Sequence, residues 1–335
     1  MKIFKWIKRA LFGILILVIL LLIIGFVFEQ ISRSKAENLI PHGEFANVGG
    51  HKLHYYKKGE DGSTVVFESA FDPAGHLQWF NLQQEISKFA TTISYDRAGL
   101  LWSERGNNPK TGKAMAEELH ALLEKSGVSK PYILVGHSLG GIILRSFISK
   151  YPKEIKGVIL IESACPNEED YLSDELYNMV SQSRLPSDFL KFANSVGLVR
   201  LMFKGMFPKK EEYNYLNTLM PALLYKSAYA ILEEQDQMLI LHKEANKITS
   251  FDSIPLYVLT ASDRDNFDHL FSDEIMKNEF VDAKVNMQKD LLKLSTDSEQ
   301  ILVPNSSHYI TEDQPKVIIE AIKNMISKTK QSNAE

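Results

Sequence analysis

The sequence has few of the features that mark several common classes of protein. It contains one cysteine, Cys165, so no intrachain disulfide can form and a cysteine-rich metal site is excluded. Basic residues are not in excess, since the formal net charge is −4, and this balance argues against nucleic acid as a partner. We find no motif for a metal or a nucleotide cofactor, no internal repeat and no low-complexity tract. What remains is a globular composition, with 44% hydrophobic and 24% charged residues.

The N-terminus departs from this ordinary composition. Four basic residues among the first nine are followed by an uncharged stretch from Ala10 to Phe28. As a helix, these residues span about 28 Å, close to the thickness of the bilayer hydrocarbon. A cleaved signal peptide has a shorter apolar core and a small-x-small site, and only a poor site can be drawn around Ser32 and Ser34. The pattern therefore predicts an uncleaved single-span anchor over residues 1–28 and a polar linker over residues 29–43.

The distribution of basic residues also predicts an orientation. The four that precede the span outnumber Arg33 and Lys35, which follow it. Because positive charge accumulates on the cytoplasmic side, the N-terminus is expected inside. The globular part is then expected outside the cytoplasm, at the surface of the cell membrane.

Beyond the linker, apolar strand patterns alternate with helical ones. Two β-rich runs around Gly49-Gly50 predict a hairpin. The stretches "STVVFESA", "PYILVGHS", "KGVILIESA" and "SIPLYVLTAS" are typical of strands buried on both faces. This pattern predicts an α/β fold with a mostly parallel eight-stranded sheet, an antiparallel start and helices on both faces. Residues 44–165 and 251–328 form its core, residues 166–250 a helical cap insertion, and residues 329–335 a tail.

The stretch "ILVGHSLGG" contains a serine that could be reactive. Gly136 to Gly140 match the pattern G-x-S-x-G, and Ser138 stands between a predicted strand and a predicted helix, which is the context that the motif requires. Glycines two positions to either side allow the strand and the helix to approach each other. The alternative is an ordinary glycine-rich connection.

A serine needs a base to become a nucleophile, and the chain has nine histidines. His308 differs from the others because it lies in a loop between the last predicted strand and the last helix. In a doubly wound sheet this loop reaches the carboxyl edge, where Ser138 also lies. The order of serine first and histidine last is that of α/β-hydrolases. We interpret His137, beside the serine, as a bystander.

From about residue 44 to 328, the chain resembles the α/β-hydrolase superfamily, and more closely a bacterial branch of serine hydrolases with a "YDRAG" motif. The resemblance rests on five stretches in the order of the family: "VVFESAFDPAG", "SYDRAGLLWSE", "YILVGHSLGG", "GVILIESACPNEED" and "SSHYITEDQPKVIIEAI". It implies a Ser-His-acid triad with Ser138 as nucleophile and His308 as general base and then general acid.

The resemblance leaves the third member of the triad open. The family usually places the acid after strand seven, where this chain has Asp263 and Asp265 in "TASDRDN". Some members instead use an acid at the end of strand six, and here that residue is Glu162. A carboxylate at a buried strand end needs a partner, and His308 is a candidate. The sequence favours Glu162 over Asp263, although Glu162 could also merely cap backbone groups.

The resemblance further implies an oxyanion hole made by two backbone N–H groups. These are the N–H of Leu139 and that of Phe71, in the loop after strand three. The glycine that the family commonly has in this loop is missing. Asp96 and Arg97 of "YDRAG" are expected to fix a turn under the site by ion pairing.

The resulting hypothesis is a membrane-anchored serine esterase that cleaves a carboxylic ester through an acyl-enzyme and needs no cofactor or metal. The apolar cap and the anchor favour a small-molecule or lipid-like ester as substrate. Two alternatives stay open: an aminopeptidase or amidase of the proline iminopeptidase type, and a hydrolase-like ligand receptor with little turnover. Dehalogenase or epoxide hydrolase activity is disfavoured, because those enzymes carry aspartate where this chain has Ser138.

Overall fold

A computed structural model describes residues 2–60, 62–181, 186–202, 204, 214–262, 271 and 273–331. Contacts divide the chain into two units. The first unit comprises residues 1–41 and 185–229, and the second comprises residues 42–184 and 230–335. Each unit is described separately.

The second unit contains one sheet of eight strands in the order β1-β2-β4-β3-β5-β6-β7-β8. The strands are β1 (Glu44–Asn47), β2 (Lys52–Lys58), β3 (Thr64–Glu68), β4 (Thr91–Tyr95), β5 (Tyr132–His137), β6 (Ile155–Ile161), β7 (Leu256–Ala261) and β8 (Ser298–Val303). The pairs β1–β2 and β2–β4 are antiparallel, and the other neighbours are parallel. The predicted mostly parallel sheet with an antiparallel start is therefore confirmed.

Helices lie on both faces of this sheet, as predicted. The described α-helices of this unit outside the 166–250 interval are α2 (Phe80–Ile86), α3 (Gly112–Ser126), α4 (Leu139–Lys150), α9 (Glu274–Asp290), α10 (Ile310–Asp313) and α11 (Pro315–Gln331). Apolar residues of α3 and α4 pack with one set of strand side chains, and those of α2 and α11 with the other set. Since β3, β5 and β7 are buried along their whole length, both faces are covered.

Within residues 166–250, the described α-helices are α5 (Asp174–Ser181), α6 (Ser187–Ser195), α7 (Leu198–Met202) and α8 (Asn214–Asn246). The structure describes no strand among the residues it covers in this interval. The described part of this interval is therefore mainly helical, and its assignment as a cap stays a prediction.

Helix α1 (Lys2–Glu37) extends through much of the segment predicted as a linker. Its apolar part has a mean hydropathy of 3.4 and none of that 18-residue window is buried. Length and composition meet the requirements of a membrane span, and a signal sequence meets them as well. The helix continues past Phe28 because Glu29 and Arg33 form an ion pair one turn apart and Ala36 is buried.

Candidate active site

The turn between β5 and α4 holds Ser138 in a strained conformation. Its φ is 52° and its ψ −119°, a region that residues other than glycine rarely adopt. The Ser138 N–H donates to the carbonyl of Ile161 at 3.1 Å, and its carbonyl accepts from Ala164 at 3.0 Å. The turn is therefore tied to the carboxyl end of β6, and its side chain is only partly buried.

Two glycines of the motif allow this turn to pack tightly. A Cβ atom on Gly136 would lie 2.7 Å from Leu144 of α4, and one on Gly140 would lie 2.5 Å from the carbonyl oxygen of Glu68. Since real Cβ contacts are longer, any side chain at either position would push the strand, the helix and the end of β3 apart. The predicted reason for glycine at both positions therefore agrees with the geometry.

His308 and Glu162 lie together at the same edge of the sheet. Nδ1 of His308 is 3.3 Å from Oε2 of Glu162, and about a third of the histidine side chain is exposed. Glu162 directly follows β6 and has a φ of 43°, while His308 follows β8. Ser138 follows β5 at this same edge. The loops after β5, β6 and β8 therefore bring the three residues to one edge of the sheet.

The carboxylate of Glu162 is buried and fully engaged. Oε1 accepts from the N–H of Ala261 at 2.8 Å, and Oε2 accepts from Nζ of Lys284 at 2.6 Å. Burial by itself would raise the pKa of Glu162, but the charge of Lys284 and the hydrogen bond and charge of His308 outweigh it and lower the pKa to about 2. The carboxylate is thus ionised at any physiological pH.

Lys284 is one of the residues at this site that the sequence did not predict. It lies on α9, for which no helix was predicted between strands seven and eight, and its side chain is 18% exposed. The weak signal was a Lys-rich stretch, "DAKVNMQKD", with apolar residues at helical spacing. Nothing in that stretch distinguishes Lys284 from the solvated lysines around it.

Asp263 and Asp265, the alternative triad acids, lie outside the described residues. Their assignment as triad acids therefore stays a prediction from the sequence.

The loop after β3 is held by Arg97. This buried guanidinium donates to the carbonyls of Ser69 and Ala70 at 2.8 and 2.9 Å, and it forms ion pairs with Glu68 and Glu234. Phe71, the predicted oxyanion donor, follows the two pinned carbonyls directly. Leu139, the other predicted donor, is the first residue of α4, so its N–H belongs to the turn without intrahelical acceptors.

Asp96 and Arg97, the two charged residues of "YDRAG", form ion pairs with different partners. Asp96 accepts from Nδ1 of His54 at 2.9 Å and from Nδ1 of His76 at 2.7 Å, and all three side chains are buried. Burial raises the pKa of Asp96, but the two histidines outweigh it and hold the pKa well below its usual value. These three residues could contribute ligands to a metal, as could His120 with its acidic neighbours at the surface. The distances between the Asp96 cluster atoms are those of hydrogen bonds.

His137, interpreted from the sequence as a bystander, takes part in a chain of hydrogen bonds. Gln78 accepts from the N–H of Ala70 at 2.9 Å through Oε1, so its amide nitrogen faces Nδ1 of His137 at 2.5 Å. Nε2 of His137 in turn lies 2.9 Å from the carbonyl oxygen of His308. This series of hydrogen bonds begins at the N–H of Ala70 and ends at the carbonyl of His308. His137 must therefore accept at Nδ1 and donate at Nε2.

This tautomer requires a neutral His137, and burial with the nearby His308 lowers the pKa of His137 to about 3. The path of hydrogen bonds therefore joins the loop before Phe71 to the backbone of His308. Sequence patterns could not have shown it, since Gln78 is 59 residues from His137.

Asp72 adds a titratable group beside this loop. Its Oδ1 accepts from the N–H of Ala74 at 2.6 Å, and burial raises its pKa to about 6. Asp72 is therefore protonated more readily than an ordinary aspartate.

Comparison with known proteins identifies the family of this chain and several relatives. The model of a family described as the alpha/beta hydrolase fold matches residues 65–317. The chain is 28% identical over 207 residues to the uncharacterized protein YbdG of Bacillus subtilis (strain 168), which covers 61% of this chain and 62% of YbdG. It is 25% identical over 276 residues to the uncharacterized protein YqjL of the same organism, covering 82% of this chain and 88% of YqjL. The chain thus spans less than two thirds of YbdG and most of YqjL.

Solved structures share the fold at low identity. The haloalkane dehalogenase DatA from Agrobacterium tumefaciens C58 matches with a TM-score of 0.62 and 16% identity, covering 85% of this chain and 96% of DatA. Est816, described as an N-acyl homoserine lactone degrading enzyme, matches with a TM-score of 0.57 and 15% identity, covering 84% of this chain and 99% of Est816. At these identities the likeness concerns the fold.

Proposed function

The chain belongs to the α/β-hydrolase fold family, and from this premise we propose that it is a membrane-anchored serine hydrolase of carboxylic esters. Ser138 is the nucleophile, His308 the general base and Glu162 the acid that orients it. The observation that carries the proposal is the strained turn of Ser138 at the sheet edge where His308 and Glu162 meet. Such a constellation is recognised by its geometry and roles.

The reaction would proceed in two halves. Oγ of Ser138 attacks the ester carbonyl while Nε2 of His308 takes its proton, and the N–H groups of Leu139 and Phe71 stabilise the oxyanion. The imidazolium of His308 then protonates the leaving alcohol, and an acyl-enzyme remains on Ser138. Water, deprotonated by His308, attacks this ester, and the collapse of the second tetrahedral intermediate releases the acid and regenerates the serine.

Glu162 acts through His308 in this scheme. A carboxylate that is ionised and buried holds Nδ1–H of His308 towards itself, which leaves Nε2 free to accept the serine proton. The contact of Lys284 with the same oxygen keeps Glu162 charged. These contacts support Glu162 as the proposed acid of the triad, with Asp263 as the alternative from the sequence.

The substrate class follows from the apolar character of the insertion and from the anchor, both of which favour an apolar or lipid-like acyl ester. The anchor is α1, with its N-terminus in the cytoplasm and the hydrolase core outside. A cysteine introduced at exposed Lys153 of the core, in a Cys165→Ser background, should react in intact cells with a membrane-impermeant maleimide. Labelling only after lysis would contradict this orientation.

The activity is tested with p-nitrophenyl esters from acetate to palmitate on the full chain in detergent. We expect turnover that rises from the short towards the medium or long acyl chains and that Ser138→Ala abolishes. Equal turnover by Ser138→Ala would contradict the proposal. Acylation of Ser138 without turnover on any ester would favour the ligand-receptor alternative.

A further inference from the structure

The first unit carries an exposed apolar face on α6 and α7. Five large side chains, each between 41% and 69% exposed, lie within this short segment: Phe189, Phe192, Leu198, Leu201 and Met202. The opposite side of the same segment is buried, with Ala193, Val196 and Val199 at its centre. Large apolar side chains clustered in this way on a surface mark an interaction site. We call these five residues the interfacial face.

The turn between α6 and α7 lies against α1 inside its apolar stretch. A Cβ atom on Gly25 would lie 2.5 Å from the carbonyl oxygen of Val196, so the backbones are in direct contact there. Small residues allow such close approach between helices in membranes. Gly25 is three residues before Phe28, the end of the apolar stretch, so the contact lies about 4–5 Å inside that end.

A charged clamp fixes the depth of α7 along α1. Glu29, which is 1% exposed, forms ion pairs with Arg33 of the same helix at 2.9 Å and with Arg200 of α7 at 2.8 Å. Arg33 also donates to the carbonyl of Asn194 at 3.1 Å. Two arginines thus neutralise a carboxylate that would otherwise be costly so close to hydrocarbon. The clamp holds α7 level with the first residues beyond the apolar stretch.

We infer that the interfacial face lies in the headgroup and upper acyl layer of the bilayer that α1 spans. The inference rests on the anchor in the proposed function. Because α1 crosses the hydrocarbon from Ala10 to Phe28, the clamp at Glu29 and the contact at Gly25 place α6 and α7 at the boundary of the hydrocarbon. Amphipathic helices bury their apolar side about 5–10 Å into this layer. Contact with lipid removes these five side chains from water. The lipids that surround α1 then also contact the interfacial face.

Depth-dependent quenching in the full chain tests this placement. In a Cys165→Ser background, single cysteines replace Phe189, Met202, Ile19 or Lys153 and carry the environment-sensitive dye NBD. The protein is reconstituted into vesicles of phosphatidylcholine and phosphatidylglycerol that contain nitroxide lipids. Ile19 lies mid-way along the apolar stretch, and Lys153 is an exposed core residue. Asp188→Cys, next to Phe189 and fully exposed to solvent, is the matched control on α6.

We expect nitroxides near the headgroup to quench the labels at Phe189 and Met202 at least about twofold more than the labels at Asp188 and Lys153. Lipids with a nitroxide near the end of their acyl chain should quench the label at Ile19. Quenching at Ile19 without quenching at Phe189 and Met202 would overturn the inference and leave the anchor intact. No quenching at any site, Ile19 included, would overturn the anchor as well. A blue-shifted label at Met202 that lipids do not quench would overturn the inference in favour of a protein partner, such as a second copy.

Discussion

Replacing Glu162 by glutamine preserves the size of the side chain, removes its charge and replaces one acceptor oxygen by a donor NH2 group. The amide oxygen can still accept from the N–H of Ala261, as Oε1 does now at 2.8 Å. The amide nitrogen then faces Nδ1 of His308 and Nζ of Lys284, where Oε2 accepts at present. Because an amide N–H donates, His308 would accept at Nδ1 and carry its proton on Nε2. That tautomer cannot accept the proton of Ser138, and we expect kcat to fall about 10³- to 10⁴-fold.

The pKa of Glu162 also sets an effect on stability. A pKa of about 2 in the folded protein, against an ordinary value of 4.5, corresponds to about 3 kcal/mol of stabilisation at neutral pH. Since the folded pKa is the lower one, this contribution is complete above pH 4.5 and is lost as the pH falls towards 2. Urea unfolding should therefore separate wild type from Glu162→Gln by about that amount at pH 7 and by progressively less below pH 4.5.

Asp263→Asn is the matched control for the kinetic effect, because it removes the charge of the alternative acid. We expect it to retain kcat within a few-fold, by pre-steady-state and steady-state hydrolysis of one p-nitrophenyl ester. Near wild-type turnover in Glu162→Gln with a large loss in Asp263→Asn would refute the assignment. A difference in unfolding free energy that does not change between pH 7 and pH 3.5 would refute the electrostatic reasoning.

Further predictions concern three residues that contact the proposed site. His137→Gln keeps a donor for the carbonyl of His308 and should retain more of kcat than His137→Phe, and an equal loss in both would contradict the positioning role. Because burial lowers the pKa of His137 to about 3, wild type should lose stability as the pH falls from about 6.5 towards 3, and acid titration should show a smaller loss for His137→Gln. Arg97→Lys keeps the positive charge but loses the planar guanidinium that binds two carbonyls at once, so the loop before Phe71 should become less well fixed. We expect kcat to fall at least about tenfold. An unchanged kcat would show that the hydrogen bonds to the carbonyls of Ser69 and Ala70 are not needed for activity. Lys284→Met should raise the pKa of Glu162, so that stability is lost at a higher pH in urea unfolding, and Lys284→Arg should restore the wild-type profile.

Much of the fold could be predicted because local patterns and tertiary packing agree. The strands of the sheet centre are apolar throughout since both faces are covered, and the turn at Ser138 needs glycines that are visible in the sequence. Helix α9 was missed because polar and charged residues outnumber the apolar ones in it, even though its apolar residues have helical spacing. The predicted membrane span ended at Phe28, where the apolar stretch ends, and residues 29–43 were predicted as a linker. The helix instead continues to Glu37, with an ion pair between Glu29 and Arg33 in this part.

Of the proposed site, only the residues that directly follow a strand or lie in the loop after one could be predicted from the sequence. Ser138, Glu162 and His308 each follow a strand, so the shared edge of a parallel sheet brings them together. Gln78, His137 and Lys284 contribute through contacts between residues far apart in sequence, and no spacing rule encodes such contacts. The sequence for this reason did not predict the hydrogen bond between His137 and the carbonyl of His308, and the interpretation of His137 as a bystander stays a prediction.

The central claim is that Ser138 is an activated nucleophile, and covalent labelling measures this directly. The full chain is treated with a fluorophosphonate, and the modified peptide is identified by mass spectrometry together with the rate of labelling. The account predicts a single adduct on Ser138, formed orders of magnitude more slowly in His308→Ala and absent in Ser138→Ala. An unlabelled wild type, or an adduct that persists in Ser138→Ala, would contradict it.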